Sequence, residues 1–153
     1  MDQMQKKPLH LTKTLLERLF QAPDINTYLR ENAYEMAMPT FDRFILSLCD
    51  ERSLSRAAVI DQAGIPRNYG YQLFNGIRKP SRDKVIQLAF GFGLDVDDAQ
   101  ELLKIARQAP LYPKIPRDIV ILRCLHERRA IWEVQNALDD MQLTLLGRED
   151  KYE

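Results

Sequence analysis

The 153-residue chain has few of the residues that mark disulfide-rich, metal-binding and membrane proteins. It contains only two cysteines, Cys49 and Cys124, which lie far apart in apolar surroundings and match no metal-ligand spacing. We interpret them as buried thiols in a reducing cytoplasm, which is the compartment we expect for this protein. No apolar run approaches the roughly 20 residues of a membrane-spanning helix, so we expect no membrane partner. Residues 1–11 are polar and mixed, unlike a secretory signal.

The sequence also lacks the motifs of common catalytic and cofactor sites. Its two histidines, His10 and His126, are isolated from any recognisable serine, cysteine or aspartate partner pattern. A glycine-rich phosphate loop, an HExxH motif and a CxxC motif are all missing. We therefore expect no enzyme activity, no metal site and no cofactor.

The formal net charge is zero, which argues against a non-specific nucleic-acid coat protein. The charge is nevertheless unevenly distributed along the chain. Residues 55–84 carry six cationic side chains against two acidic ones, a local excess of four positive charges. Because DNA attracts proteins at this local scale, the segment is a candidate nucleic-acid interface.

Apolar residues recur with helical spacing, and the alternation typical of strands is missing. Potential N-caps, prolines and glycines divide the chain into nine segments. The pattern predicts helices over 12–21, from 25 after an Asp24 cap, over 41–52 after Thr40, from Ser55 to about Gly64, and over 67–75, 82–91, 96–107, from Pro116, and 131–146.

The same periodicity predicts which side chains are buried. Ile25 and Leu29 should face inward from the second helix. The helix that begins at Pro116 is apolar nearly all round, so it should be central. Met141 and Leu145 should extend the buried stripe of the last helix.

An internal similarity recurs at an offset of 35 residues, which suggests that the helix pair 82–107 is repeated as 117–142. Chance similarity between two helical hairpins is the alternative. The matched pairs are Arg82 and Arg117, Asp83 and Asp118, Val85 and Val120, Ile86 and Ile121, Gln100 and Gln135, and Leu103 and Leu138.

The most informative stretch, residues 54–81, reads LSRAAVIDQAGIPRNYGYQLFNGIRKPS. Its first half is a short helix capped by Ser55 and ended by Gly64, where a tight turn is possible. Ile65 can fill the space between two crossing helices. The second half presents a row of polar side chains on the outer face of a helix, which fits the major groove of DNA.

This segment resembles the helix-turn-helix of the phage lambda repressor and Cro class, the XRE family. The match covers roughly residues 40–106, and is strongest at Leu54–Ser55, Val59, Gly64, Leu73–Ile77 and Pro80–Ser81. The resemblance implies an all-α fold with a lambda-repressor-like five-helix helix-turn-helix domain and extra N-terminal and C-terminal helical hairpins. The expected boundaries are 1–38, 39–108 and 109–153.

The resemblance also implies which residues contact DNA. The candidates for base contacts on helix 67–75 are Arg67, Asn68, Tyr71 and Gln72. The candidates for contacts to the DNA backbone are Arg56, Asn75, Arg78, Lys79 and Arg82. Arg67 could equally grip a phosphate, so no target sequence follows from these residues.

Two positions depart from the family pattern. The family usually has alanine where this chain has Ile60, and a β-branched residue where it has Gly70. A glycine within a helix costs about 1 kcal/mol relative to alanine. We hypothesise that Ile60 fills the space that Gly70 vacates; the alternative is that Gly70 softens the helix and that DNA binding has decayed.

Two classes of function remain open. The first is a sequence-specific transcription regulator that binds double-stranded DNA, commonly as a homodimer in this class. The second is an adaptor, or an antitoxin-like protein, that binds a protein partner through its N- or C-terminal helices and has weak or lost DNA binding. The C-terminal hairpin could pack on the core or form a dimer interface.

Overall fold

The computed structural model describes residues 12–36 and 39–148. Within these ranges the protein is all-α, as predicted, with one 3-10 turn at Ala33–Glu35 and no strand. No helix in this part of the chain is long and apolar enough to span a bilayer. The nine helices of the described ranges are α1 (Thr12–Gln21), α2 (Ile25–Glu31), α3 (Phe41–Arg52), α4 (Arg56–Ala63), α5 (Arg67–Phe74), α6 (Arg82–Phe92), α7 (Val96–Ile105), α8 (Pro116–His126) and α9 (Ile131–Asp140).

Local capping explains where most helices begin. Four side chains cap an N-terminus by accepting a hydrogen bond from a backbone N–H in the first turn, as the sequence predicts. Thr40 stands at the predicted N-cap of α3 but makes no such bond. Pro116 opens α8 at its first position, where a missing N–H costs nothing. The four capping residues are Asp24, Ser55, Ser81 and Asp95.

Helix α6 is the centre of the molecule and is buried along its whole length. Helix α4 lies across it, and α7 packs beside it. The crossing with α4 is close because of Gly91, where an added Cβ would stand 2.5 Å from the Val59 carbonyl oxygen. A side chain at this position would separate the two helices, so Gly91 fixes α4 against the core.

Two predictions about the C-terminal region are wrong. Helix α9 ends at Asp140 rather than 146, because Gln142 takes a left-handed conformation with φ 60° and turns the chain back. Met141 is consequently 62% exposed. Helix α8 is not central, since only one of its faces is buried and Ile119 is 46% exposed.

The N-terminal hairpin is also more exposed than predicted. Tyr28 donates from its hydroxyl to the Leu15 carbonyl oxygen, and Arg18 bonds to Asn32, so α1 and α2 are held on each other. Ile25 and Leu29, expected to face inward, are 69% and 46% exposed. Their apolar side chains have no cover within the described protein.

The offset of 35 residues corresponds to a structural repeat. We define the first unit as α6, α7 and the connector that follows (residues 82–112), and the second unit as α8, α9 and their connector (residues 117–147). An arginine at the start of each unit donates to two carbonyl oxygens of that unit's connector. The acceptors are 35 positions apart: Ala109 and Pro110 for Arg82, and Thr144 and Leu145 for Arg117.

The two units exchange charged partners in both directions. Arg82 of the first unit pairs with Asp118 of the second at 2.9 Å, and Arg117 pairs with Asp83 at 2.8 Å. Contacts made in both directions are the pattern of two units related by a local two-fold axis. In stacked repeats, each unit would instead contact the next in the same direction along the chain. Each aspartate also accepts a backbone N–H from a connector, Tyr112 for Asp118 and Gly147 for Asp83.

Candidate nucleic-acid interface

Helices α4 and α5 form a two-helix corner around a tight turn. Ser55 caps α4, and Gly64 closes it with φ 70°, a conformation that favours glycine. Ile65 follows, 5% exposed, and fixes the corner to the core. Pro66 then leads into α5, whose buried side carries Leu73 and Phe74. The other side of α5 is therefore turned outward.

Gly70 and Ile60 are fitted to each other at this corner. A Cβ added at Gly70 would stand 2.6 Å from both Cγ1 and Cγ2 of Ile60. Ile60 is fully buried, so it has no room to retreat. The hypothesis that Ile60 fills the space left by Gly70 agrees with this geometry.

An exposed basic loop follows α5. Asn75 is the C-cap, and Gly76 turns the chain with φ 75°. Ile77, Arg78 and Lys79 then extend into solvent. The loop lies next to the outward face of α5, because the N–H groups of residues 77 and 78 both donate to the Gln72 carbonyl oxygen.

Most of the predicted DNA contacts lie exposed around this corner and loop. Tyr71 and Gln72 are half-buried, and Arg56 lies beside them, with its guanidinium 5.4 Å from the centre of the Tyr71 ring. The exposed members of the group are Arg56, Arg67, Asn68, Asn75, Arg78 and Lys79. We name these six residues, together with Tyr71 and Gln72, the basic face.

The guanidinium of Arg78 makes both a hydrogen bond and an aromatic contact within this part of the protein. Its Nε donates to Gln72 Oε1 at 2.9 Å, and its guanidinium lies 4.4 Å from the centre of the Tyr69 ring. Tyr69 was not among the predicted DNA contacts. The sequence offers a single signal for its contact with Arg78, which is the presence of an aromatic residue shortly before the loop. The contact with the Tyr69 ring orients the guanidinium of Arg78 before any ligand binds.

Arg67 faces one of the acidic side chains near this surface. Its guanidinium is 3.7 Å from Asp61, and both side chains are about two-thirds exposed. Such an exposed pair contributes little and breaks readily in favour of a better partner. Arg67 is therefore available to another anion or to a base edge.

The structure does not bring Arg82 to the basic face. Its guanidinium is held by Asp118 and by the carbonyl oxygens of Ala109 and Pro110, within the repeat. Lys84 is also buried, with its Nζ 4.9 Å from the centre of the Tyr69 ring. Of the six cations in residues 55–84, four are exposed, namely Arg56, Arg67, Arg78 and Lys79.

No protein-family model, no curated protein and no solved structure matches this chain. In the described ranges, no group of three or more histidine, cysteine, aspartate or glutamate side chains is placed to hold a metal ion. The chemistry of this surface must therefore be inferred from its own residues. Exposed guanidinium, ammonium and amide groups on this surface offer hydrogen bonds and positive charge to an anionic ligand.

Proposed function

We propose that this protein is a sequence-specific DNA-binding transcription regulator whose helix 67–75 enters the major groove. In this proposal α3–α7 are a lambda-repressor-like five-helix domain, with α1–α2 and α8–α9 added at its ends. The observation that carries the proposal is the exposure of the basic face. Neither terminal hairpin covers Arg67, Asn68, Arg78 or Lys79.

The arrangement of the basic face supports two kinds of contact. Arg67 and Asn68 stand at the first turn of α5, where a helix inserted end-on brings side chains to the base edges. Arginine pairs in a bidentate fashion with guanine, and asparagine with adenine. Asn75, Arg78 and Lys79 lie beyond the other end of the helix, where the phosphate backbone would run.

The proposal is tested by selection of preferred sites from random DNA, followed by competition binding at several salt concentrations. We expect a preferred site, with affinity that falls steeply as salt rises because bound cations release counterions. Arg67→Ala should relax the base preference by about 1–3 kcal/mol at one position. Lys79→Ala should weaken all sequences alike and reduce the salt slope by about one.

Lys104→Ala is the matched control, because Lys104 is an exposed cation of α7 outside the basic face. It should leave the affinity, the site preference and the salt slope unchanged. If the selection returns no preferred site, or if Lys104→Ala weakens binding as much as Lys79→Ala, the proposal is wrong.

A second candidate function is supported by a different observation. Large apolar side chains are exposed on α1–α2 and on α8–α9, and the net charge of the chain is zero. An adaptor or antitoxin-like protein that binds a protein partner would use such surfaces. That function would be favoured by an absence of site preference in the same DNA selection.

A further inference from the structure

The exposed apolar side chains are concentrated at the two ends of the chain. Within the described residues, twelve large hydrophobic side chains are exposed, and only Leu46, Ile77 and Tyr112 lie outside two regions. Five form the N-terminal face, on or just after α1–α2: Leu16, Phe20, Ile25, Leu29 and Met36. Four lie on or beside α8 and α9: Ile115, Ile119, Trp132 and Met141.

The side chains on α8 and α9 line a groove of about 520 Å³. Ile119, Trp132 and Met141 form its walls, and the buried Cys124 lies at its floor. Burial raises the pKa of the Cys124 thiol, so the floor stays uncharged at neutral pH. The rim carries both signs of charge, with Arg123 and Arg129 against Glu127, Glu133 and Asp140. We name this feature the C-terminal groove.

The repeat shows what covers the corresponding face of the first unit. Ile119 and Arg123 of α8 correspond to Lys84 and Leu88 of α6, 35 positions earlier. Lys84 is buried against Tyr69 of α5, and Leu88 is fully buried. Gly91, three residues further along α6, lies against Val59 and Ala63 of α4. In the first unit a pair of helices therefore closes this face. In the second unit the same face is bare, and Ile119 is exposed there.

We propose that the α1–α2 hairpin of a second copy of this chain occupies the C-terminal groove, and that the two copies do so reciprocally. Every chain supplies one N-terminal face and one groove, so a single kind of contact covers both apolar surfaces. A reciprocal exchange closes a two-fold dimer, whereas a one-way contact would continue to add chains. The zero net charge and the mixed charges of the rim remove repulsion between copies.

Trp132 makes the proposal measurable, because it is the only tryptophan in the chain and is 64% exposed in the groove. On raising the concentration of the full-length protein without DNA, we expect the mass to rise from 17.9 kDa to twice that value. The emission of Trp132 should shift to shorter wavelength over the same concentration range. Light scattering and fluorescence give the two readouts.

Charged substitutions on the two surfaces provide the decisive variants. Phe20→Glu on the N-terminal face and Met141→Glu in the wall of the C-terminal groove should each raise the dimer dissociation constant by about tenfold or more. A mixture of the two variants should still form a mixed dimer, because it combines one intact hairpin with one intact groove. Ile77→Glu is the control, since Ile77 is 73% exposed outside both surfaces and should leave the dissociation constant unchanged.

Three results would overturn the proposal. The first is a chain that stays monomeric at high concentration. The second is a dimer that Met141→Glu breaks but Phe20→Glu leaves intact, which indicates groove against groove. The third is a change in Trp132 emission caused by Phe20→Glu without any change in mass, which indicates that the hairpin folds onto its own groove. All readouts are taken without DNA, so they are independent of the proposed DNA binding.

Discussion

A single glycine determines how closely α5 lies against α4. Any side chain at Gly70 would enter the volume of Ile60, which is fully buried. The family that this segment resembles usually has the larger residue on α5, whereas in this chain the larger residue is Ile60 on α4. Helix α5 thereby keeps a close fit to the core, although its middle carries a glycine.

This exchange predicts a strong coupling between the two positions. Gly70→Val should destabilise the protein by about 1–3 kcal/mol through overpacking. Ile60→Ala should cost about 2–5 kcal/mol through a cavity. The double variant Ile60→Ala/Gly70→Val should cost clearly less than the sum of the two, as measured by urea unfolding in a double-mutant cycle. Additive effects, or a stabilised Gly70→Val single variant, would refute the compensation.

Residue-scale reasoning from sequence predicted the corner and its cations, and the structure places one of these cations elsewhere. The sequence suffices to place Arg67 and Asn68 outward, because the caps and the turn are local features. Arg82 was predicted to contact DNA, yet it is bound inside the repeat. The pairing of Arg82 and Asp83 with Arg117 and Asp118 at an offset of 35 was the available signal for this internal role.

At the scale of elements, one glutamine in each repeated unit joins the second helix of that unit to the connector that follows it. Gln100 Nε2 donates to the Leu111 carbonyl oxygen, and its Oε1 accepts from the Leu111 N–H, both at 2.8 Å. Gln135 makes the same two bonds to Leu146, at 3.0 and 2.8 Å. Each glutamine therefore binds the connector to the helix that precedes it, through two hydrogen bonds.

Because the two glutamines make equivalent pairs of hydrogen bonds, we expect Gln100→Ala and Gln135→Ala to have similar effects on stability. Each should reduce the free energy of unfolding by about 1–3 kcal/mol, since buried backbone groups of the connector lose their partner. Gln62→Ala, at an exposed position of α4, should change it by less than about 0.5 kcal/mol. Thermal or urea unfolding provides the comparison. Strongly unequal losses would mean that only one unit depends on its glutamine.

Sequence periodicity predicted the helices well and their burial poorly, for a physical reason. Apolar spacing identifies which face of a helix is hydrophobic, but it does not say whether another element covers that face. Ile25 on α2 and Ile119 on α8 show this, since both lie on apolar faces that remain exposed. The early end of α9 was missed because Gln142, not glycine, takes the left-handed conformation.

At the scale of the whole molecule, buried charges join the two repeated units. Burial by itself would raise the pKa of Asp83 above its ordinary value of 3.8, but hydrogen bonds from Arg117 and the Gly147 N–H outweigh it. The positive charges of Arg117 and Lys84 act in the same direction, so the pKa of Asp83 is lowered. The folded protein therefore holds Asp83 ionised more strongly than the unfolded chain does.

The sign of this shift predicts how stability depends on acidity. A carboxyl group with a lowered pKa stabilises the fold fully above its unfolded pKa, and this stabilisation is lost as the pH falls through the folded pKa. Asp83→Asn should cost about 3–5 kcal/mol at neutral pH, because the charge of Arg117 stays buried without its carboxylate. The difference between wild type and variant should shrink below a pH of about 4.

Unfolding measured by circular dichroism from pH 7 to pH 2 checks this prediction. Asp139→Asn, at an exposed position near the end of α9, is the control and should follow the wild-type curve within about 0.5 kcal/mol. An Asp83→Asn variant as stable as wild type at neutral pH would show that the reciprocal pairs do not hold the units together.

The reciprocal exchange bears on where this chain could be shortened. Helix α6 completes the support of α5 through the crossing with α4, and it also carries Arg82 and Asp83, whose partners lie beyond residue 112. A gene fragment that stops after α7 would remove the ion-pair partner of Arg82 and that of Asp83. Helices α4 and α5 are thus tied to the last helices of the polypeptide, and we expect that α3–α7 cannot be separated from those helices without loss of stability.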